Sequence, residues 1–289
     1  MASDTLNVYF TDNATSVSSV AKEGGAFVTT QTWGVAGTNF GSLTVYGSEL
    51  YALNDGAGGL EQIGTTAISG GNFRILAQDA NTVTAGDPYP STVVVSNQHL
   101  FWSDKNHGAI QQVAGSSVTQ TPVEVYSVGN GNNYYLDQLV AAPDGFLAWE
   151  ENAYGVTPST IYGAAPTCAS ECTLPVHPTL IASLSTTPTA LFTDDRYVYY
   201  IAQSSLTTVA RTGGSPVYSF SVGSGVPSSL VVDATATAFW VSSNDEIKSV
   251  PIAGGPVSVV ATGSNIQQLV VDSTALYWTT GNTVMELVR

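Results

Sequence analysis

The chain has 289 residues, with seven Lys plus Arg against 22 Asp plus Glu, a formal charge of −15, and only 10% charged residues, against about 25% in an average domain. Seven scattered cations cannot make the basic stripe that binds nucleic acid, and the same acidity opposes docking on anionic membranes. Near-absence of Lys argues against long helices, while 43% hydrophobic residues argue for a packed core rather than disorder.

No segment approaches the roughly 20 apolar residues that span a bilayer. The opening Met1-Ala2-Ser3-Asp4 has neither a charged n-region nor an apolar h-region, so no export signal is legible there.

One phrase then recurs along the chain. It is met first as Met1-Ala2-Ser3-Asp4 followed by Val8-Tyr9-Phe10-Thr11-Asp12, and next as residues 43–46 followed by Leu50-Tyr51-Ala52. Residues 93–96 precede Leu100-Phe101-Trp102-Ser103-Asp104, and residues 139–142 precede Leu147-Ala148-Trp149. The last three copies are sharper: Leu191-Phe192-Thr193-Asp194 with Val198-Tyr199-Tyr200-Ile201, Leu230-Val231-Val232-Asp233 with Ala238-Phe239-Trp240-Val241, and Leu269-Val270-Val271-Asp272 with Ala275-Leu276-Tyr277-Trp278-Thr279-Thr280. Seven copies at about 40–50 residues apart fall in the period of β-propeller blades. Each continues into an alternating third segment, such as Glu246-Ile247-Lys248-Ser249-Val250-Pro251-Ile252, and several into Gly-Gly and a β-branched fourth run. Gly-Gly supplies the positive φ of a tight hairpin, and four short strands joined by hairpins make a blade.

The pattern predicts an all-β, single-domain β-propeller. Seven four-stranded blades are favoured over six, with approximate blades at 1–42, 43–92, 93–138, 139–190, 191–229, 230–268 and an incomplete 269–289. Trp102, Trp149, Trp240 and Trp278 fall at one place in the repeat, where a large flat side chain fills the gap between stacked sheets. Only Trp33 is off the pattern.

Tyr277-Trp278-Thr279-Thr280, Phe101-Trp102-Ser103-Asp104 and Tyr9-Phe10-Thr11-Asp12 resemble the YWTD signature of propellers such as those in lipoprotein-receptor ectodomains. With Val250-Pro251-Ile252-Ala253-Gly254-Gly255, the full phrase resembles tandem-repeat propellers in predicted secreted proteins of myxobacteria. This resemblance spans nearly the whole chain and implies an extracellular propeller. It implies no catalytic residues, because propellers host many unrelated activities. The count departs from it, since YWTD propellers have six blades. The last copy ends after its third strand, which leaves the manner of ring closure open.

Cys168 and Cys172 lie in a stretch rich in Pro, Ala and Thr. A disulfide closing a small loop in an oxidising compartment, free thiols, and a metal site with His177 as the nearby histidine are the three readings. The disulfide is the expectation, and similar Cys pairs in the resembling repeat family imply the same. His99 and His107 are expected to be solvated loop histidines. Glu150 and Glu151 follow Trp149, and as strand neighbours they point to opposite faces; they are read as solvated carboxylates rather than a working pair. Asp194, Asp195, Asp233 and Asp272 are expected to shape turns.

Three connections between copies are long. Residues 30–42 carry Trp33, Asn39 and Phe40; residues 77–92 carry Asp79, Asp87 and Tyr89; residues 129–138 carry Asn130, Asn132, Asn133, Tyr134, Tyr135 and Asp137. They share one propeller face with the second-to-third-strand turns, which add Asp12, Asn13, Asn54, Asp55 and residues 104–107 and 150–154. One sector therefore gathers aromatics, Asn and Asp. Sugar C–H faces stack on Trp and Tyr while Asn and Asp bond hydroxyls, and convergent carboxylates and carbonyls equally suit Ca²⁺. Ordinary turn chemistry yields the same composition.

The expectation is a secreted or cell-surface, non-catalytic binding module. Its ligand residues are Trp33, Tyr89, Asn132, Tyr134, Tyr135 and Asp137, with Ca²⁺ the candidate cofactor, Asp87 its candidate ligand, and a glycan or extracellular protein the partner. One alternative is a protein-interaction or self-assembly scaffold that uses the open edge of the last blade. The other is a metal-dependent propeller lactonase or lyase, against which the mostly Leu, Val, Thr and Ala innermost positions argue.

Overall fold

β-branched runs punctuated by Gly-Gly fold each copy into an antiparallel meander. In a computed structural model, residues 1–289 are described except 14–15, 33–38, 57–59, 79–91, 105–107, 116–119, 129–133, 154–155, 170, 176, 224–225 and 282. Blade 1 comprises β1 (Ala2–Ser3), β2 (Asn7–Asn13), β3 (Ser16–Ala21) and β4 (Val28–Thr32). Blade 2 comprises β5 (Asn39–Tyr46), β6 (Glu49–Gly56), β7 (Leu60–Ala67) and β8 (Arg74–Gln78). Blade 3 comprises β9 (Val93–Ser96), β10 (His99–Asp104), β11 (Ala109–Ala114) and β12 (Val123–Ser127).

Blade 4 comprises β13 (Tyr134–Ala141), β14 (Leu147–Ala153), β15 (Val156–Ala164) and β18 (Thr179–Leu184), with a small hairpin, β16 (Thr167–Cys168) and β17 (Cys172–Thr173), inserted before its outer strand. Blade 5 holds β19 (Ala190–Thr193), β20 (Tyr197–Ala202), β21 (Ser205–Ala210) and β22 (Tyr218–Ser221). Blade 6 holds β23 (Ser228–Val232), β24 (Thr237–Val241), β25 (Glu246–Pro251) and β26 (Ser258–Thr262). Blade 7 holds β27 (Ile266–Val271), β28 (Ala275–Thr280) and β29 (Thr283–Val288), in that order across the sheet. The chain is a seven-bladed β-propeller.

Each of the seven seams between blades has its own apolar cluster. Trp102, Trp149, Trp240 and Trp278 are all buried in these seams, as the repeat predicts. The ring closes where blade 7 meets blade 1, by side-chain packing. Val8, Ala275 and Tyr277 are buried there, flanked by Met1, Val20 and Val284, and the Met1 amine donates to Gln268 Oε1.

A second device locks several seams. The N–H of the residue after the third strand bonds a carbonyl of the same blade's first turn: Lys22 to Leu6, Ile68 to Ser48, Gly115 to Gln98, Arg211 to Arg196, Ile252 to Ala236 and Arg289 to Thr274. These six residues are therefore equivalent. Three of them are cations, and each reaches the preceding blade in the same way. Lys22 pairs with Asp272 and lies 5.3 Å from the Tyr277 ring centroid. Arg211 forks onto Asp144 at 2.6 and 3.1 Å and lies 4.4 Å from the Phe146 ring. Arg289 pairs with Asp233 and lies 5.5 Å from the Phe239 ring. The closing seam thus uses the same clamp as seams crossed by the chain.

Those aspartates also build the turns, as expected. Asp194 Oδ1 accepts from the N–H groups of Arg196 and Tyr197, and its Oδ2 from the Tyr199 hydroxyl at 2.6 Å. Asp4 does the same with Leu6, Asn7 and Tyr9. Asp233 and Asp272 bond the corresponding N–H groups of their own turns. Gly24-Gly25, Gly70-Gly71, Gly213-Gly214 and Gly254-Gly255 all have positive φ, which only glycine adopts freely.

Candidate functional site

An antiparallel meander places first-to-second and third-to-fourth turns at one end of the ring and the remaining connections at the other. At that second end, blades 2 and 4 are built up. β6 runs to Gly56, four residues past Ala52, and β14 runs to Ala153, four past Trp149; the equivalent β24 stops at Val241, one past Trp240. β10 of blade 3 stops at Asp104, two past Trp102. At about 3.4 Å per residue, the two residues gained over β10 extend a ladder by about 7 Å. Blades 2 and 4 therefore carry raised ladders that flank the shorter blade 3.

This corrects the loop reading of that sector. Asn39 and Phe40 belong to β5, Asn54 and Asp55 to β6, and Glu150 to β14. Tyr134, Tyr135 and Asp137 stand in β13, paired with Ala153, Asn152 and Glu150. Alternating polar and aromatic residues are held extended here because a neighbouring strand pairs with them, which composition alone does not reveal. Trp33, Tyr89, Asn132, Asp87 and His107 lie outside the described residues.

Below the blade 4 ladder sits an aromatic and acidic cluster. Glu151 Oε1 accepts from the Tyr126 hydroxyl at 2.6 Å and from Trp149 Nε1 at 3.0 Å. The Trp149 ring lies 5.0 Å from Tyr126 and is stacked with Tyr162 at 6.4 Å. Burial pushes the Glu151 carboxyl above its ordinary range, against these two bonds. Burial, and then the bond to Glu151, push the Tyr126 hydroxyl up. Glu150 points the other way, toward blade 5, where Gln138 Nε2 bridges its Oε2 at 3.4 Å and the Pro188 carbonyl at 2.7 Å. Glu150 is fully buried, so the solvated reading of this pair fails. Tyr126 and Trp149 cover Glu151, while Gln138 and the Pro188 segment cover Glu150. The opposite-face geometry stands.

The other end of the ring carries a different feature, at the seam of blades 3 and 4. Cys168 and Cys172 form a disulfide between directly paired positions of β16 and β17. The seam clamp is replaced here by this hairpin, which reaches back onto blade 3. Buried Gln112 donates from Nε2 to the Cys172 carbonyl at 2.8 Å and accepts the Cys172 N–H at 3.1 Å. A pocket of about 430 Å³ opens beside the bridge, lined by Asn97, Gln98, His99, Pro166, Cys168 and Ala169. His99 is buried at the start of β10 rather than solvated, because the hairpin covers it. His177, the histidine near in sequence, is exposed. Among the described residues, the one set of three or more metal-type ligands whose atoms converge, within 4.8 Å, is His99, Cys168 and Cys172. Sequence reasoning missed His99 because it comes from the preceding blade; only the repeat register would bring the two together.

No family model matches the chain, and no curated protein matches it. Solved structures do. YCF48 bound to a D1 peptide aligns with a TM-score of 0.69 at 11% identity, over 99% of this chain and 89% of that one. A candidate 6-phosphogluconolactonase from Bacteroides fragilis gives 0.69 at 13% identity, over 98% and 90%. A nidogen–laminin complex gives 0.53 at 13% identity, over 98% and 89%. At such identities the likeness is one of fold: the class is the β-propeller, shared by proteins seen with peptide or protein partners and by a lactonase candidate.

Proposed function

We propose that the protein is a secreted, non-catalytic binding module that takes an extended ligand, a glycan, across the end where blades 2 and 4 rise. The observation that carries this reading is the pair of raised ladders flanking blade 3. The far ends of the lengthened strands rise past the seam clusters, and binding residues concentrate on such outworks of a rigid scaffold. Trp33, Tyr89, Asn132, Tyr134, Tyr135 and Asp137 are the ligand residues, Asp87 with Ca²⁺ the candidate metal element. The myxobacterial likeness of the Val250–Gly255 phrase supports an extracellular setting.

A glycan array run with calcium and again with EDTA tests it. Binding lost in Tyr134→Ala and Trp33→Ala, with unchanged thermal unfolding, is the expected outcome. Unchanged binding of every retained glycan in both variants removes the site. The peptide- and laminin-bound structures favour a second reading, in which the same end takes an extracellular protein. A blank array followed by protein capture that Tyr134→Ala abolishes would select it.

A further inference from the structure

We propose that reduction of the Cys168–Cys172 bridge opens a zinc site built across two blades, with both thiolates and the His99 imidazole as ligands. The argument starts from the backbone. Cys168 and Cys172 are spaced as Cys-x-x-x-Cys, within the span common to zinc-binding pairs, and their positions face each other across β16 and β17. In a tetrahedral site with Zn–S bonds of about 2.3 Å, two sulfurs sit about 3.8 Å apart. The separated thiolates therefore need only a small side-chain movement, and a His99 nitrogen already lies within 4.8 Å of both sulfurs.

His99 is held in the manner of a metal ligand. Its Nδ1 lies 3.0 Å from the Asn97 carbonyl. A carbonyl only accepts, so Nδ1 carries the proton and the ring is oriented from behind, as in histidines that ligate a metal through the other nitrogen. The hairpin is also held without the bridge. Gln112 grips both backbone polar groups of Cys172, and the Cys172 and Leu174 side chains belong to the seam cluster around Phe101 and Trp149. Cys168 is the half-buried partner that lines the pocket, while Cys172 is 2% exposed. An attacking reductant thus meets the Cys168 sulfur first.

The chemistry balances with a dithiol reductant. Its two thiols deliver two electrons and two protons, the S–S bond breaks, and the reductant leaves as its own disulfide. Zinc then displaces the two thiol protons, which pass to solvent, and the charge of the ion is neutralised by two thiolates. Three protein ligands leave the fourth position open, facing the pocket of about 430 Å³, as in zinc sites that keep a water or exchangeable ligand.

The test uses the full chain, reduced anaerobically with a phosphine and titrated with Co²⁺, then with Zn²⁺ in competition. One equivalent of Co²⁺ giving thiolate-to-metal charge transfer is expected from reduced protein and none from oxidised protein. His99→Ala should weaken that binding by about tenfold or more, and Cys168→Ser should abolish the charge-transfer band. Near-ultraviolet circular dichroism of reduced, metal-free protein should keep its native form. Absence of the band on reduction, equal binding by oxidised protein, unchanged affinity in His99→Ala, or loss of native dichroism on reduction would each overturn the proposal.

Discussion

Blades 5 to 7 and blades 2 to 4 solve the same packing problem with different freedom. In blades 5 to 7 the strands are four to six residues long, and each first turn is organised by one aspartate, Asp194, Asp233 or Asp272. In blades 2 and 4 the inner three strands reach seven to nine residues. Most of the added length lies beyond the layer of Ala52 and Trp149, although Leu136 still joins the seam cluster. Departures at that end leave the seam clusters intact, so the ring tolerates variation there. The opposite end, where turns bond to the neighbouring strand and cations clamp the blades, is kept alike. Its largest departure among the described residues is the cysteine hairpin.

The comparison is open to tests of decreasing size. Trp149 in the varied half and Trp240 in the regular half are both fully buried, and replacing either by Ala should cost about 3–5 kcal/mol by denaturant unfolding. Phe separates them. The Trp240 indole N–H has no hydrogen-bond partner among the described residues, whereas Trp149 donates to Glu151. Trp149→Phe should therefore cost about 1–2 kcal/mol more than Trp240→Phe. Equal losses would mean that the acidic cluster adds nothing to blade 4.

The clamps come next. Lys22→Ala, Arg211→Ala and Arg289→Ala should each cost about 1 kcal/mol, combining a modest ion pair with a cation–π contact. Of these, Lys22→Ala should be worst, because its seam has only three buried apolar residues among those described. Hydrogen exchange should show lost protection in blades 1 and 7 for Lys22→Ala, and in blades 4 and 5 for Arg211→Ala. Loss spread evenly around the ring in both variants would contradict the local role.

The smallest effect is in pH dependence, where the clamp end and the ladder end of the ring have opposite signs. Burial pushes the Asp272 carboxyl up, but bonds from Lys22, Thr274 and Ala275 outweigh it and hold it well below the ordinary range. The Arg211 bond likewise depresses Asp144. Their stabilisation is present above an ordinary carboxylate pKa of about 4 and is lost as pH falls through the depressed folded values. Glu151 is raised in the folded state, so its contribution is present below about pH 4 and lost as pH rises through its folded value. Urea midpoints measured from pH 3 to 8 should show Asp272→Asn flattening the acid limb and Glu151→Gln flattening the slope above it. Identical profiles for the two variants would break the contrast.

The blade pattern was legible because its chemistry is local. Aspartates three residues before a strand residue, Gly-Gly pairs and the layer tryptophans each declare a backbone state within a few residues of sequence. The buried condition of Glu150 and His99 was not legible. It depends on Gln138 and Pro188 in one case and on an inserted hairpin of the next blade in the other. The same holds for Tyr134 and Tyr135, whose strand state follows from Ala153 and Asn152 across the ladder. Residues paired through a neighbouring element carry no mark of it in their own segment.

Six of the seven seams are crossed by the chain itself; the seventh is joined by Lys22, Asp272, Tyr277, Val8 and the Met1–Gln268 contact. In mechanical terms the ring is a bracelet with a single clasp. Tension that draws blade 1 away from blade 7 loads that clasp and no ladder. The first rupture would be one cation, one aromatic face and a few methyl groups sliding apart, with each blade still folded behind it.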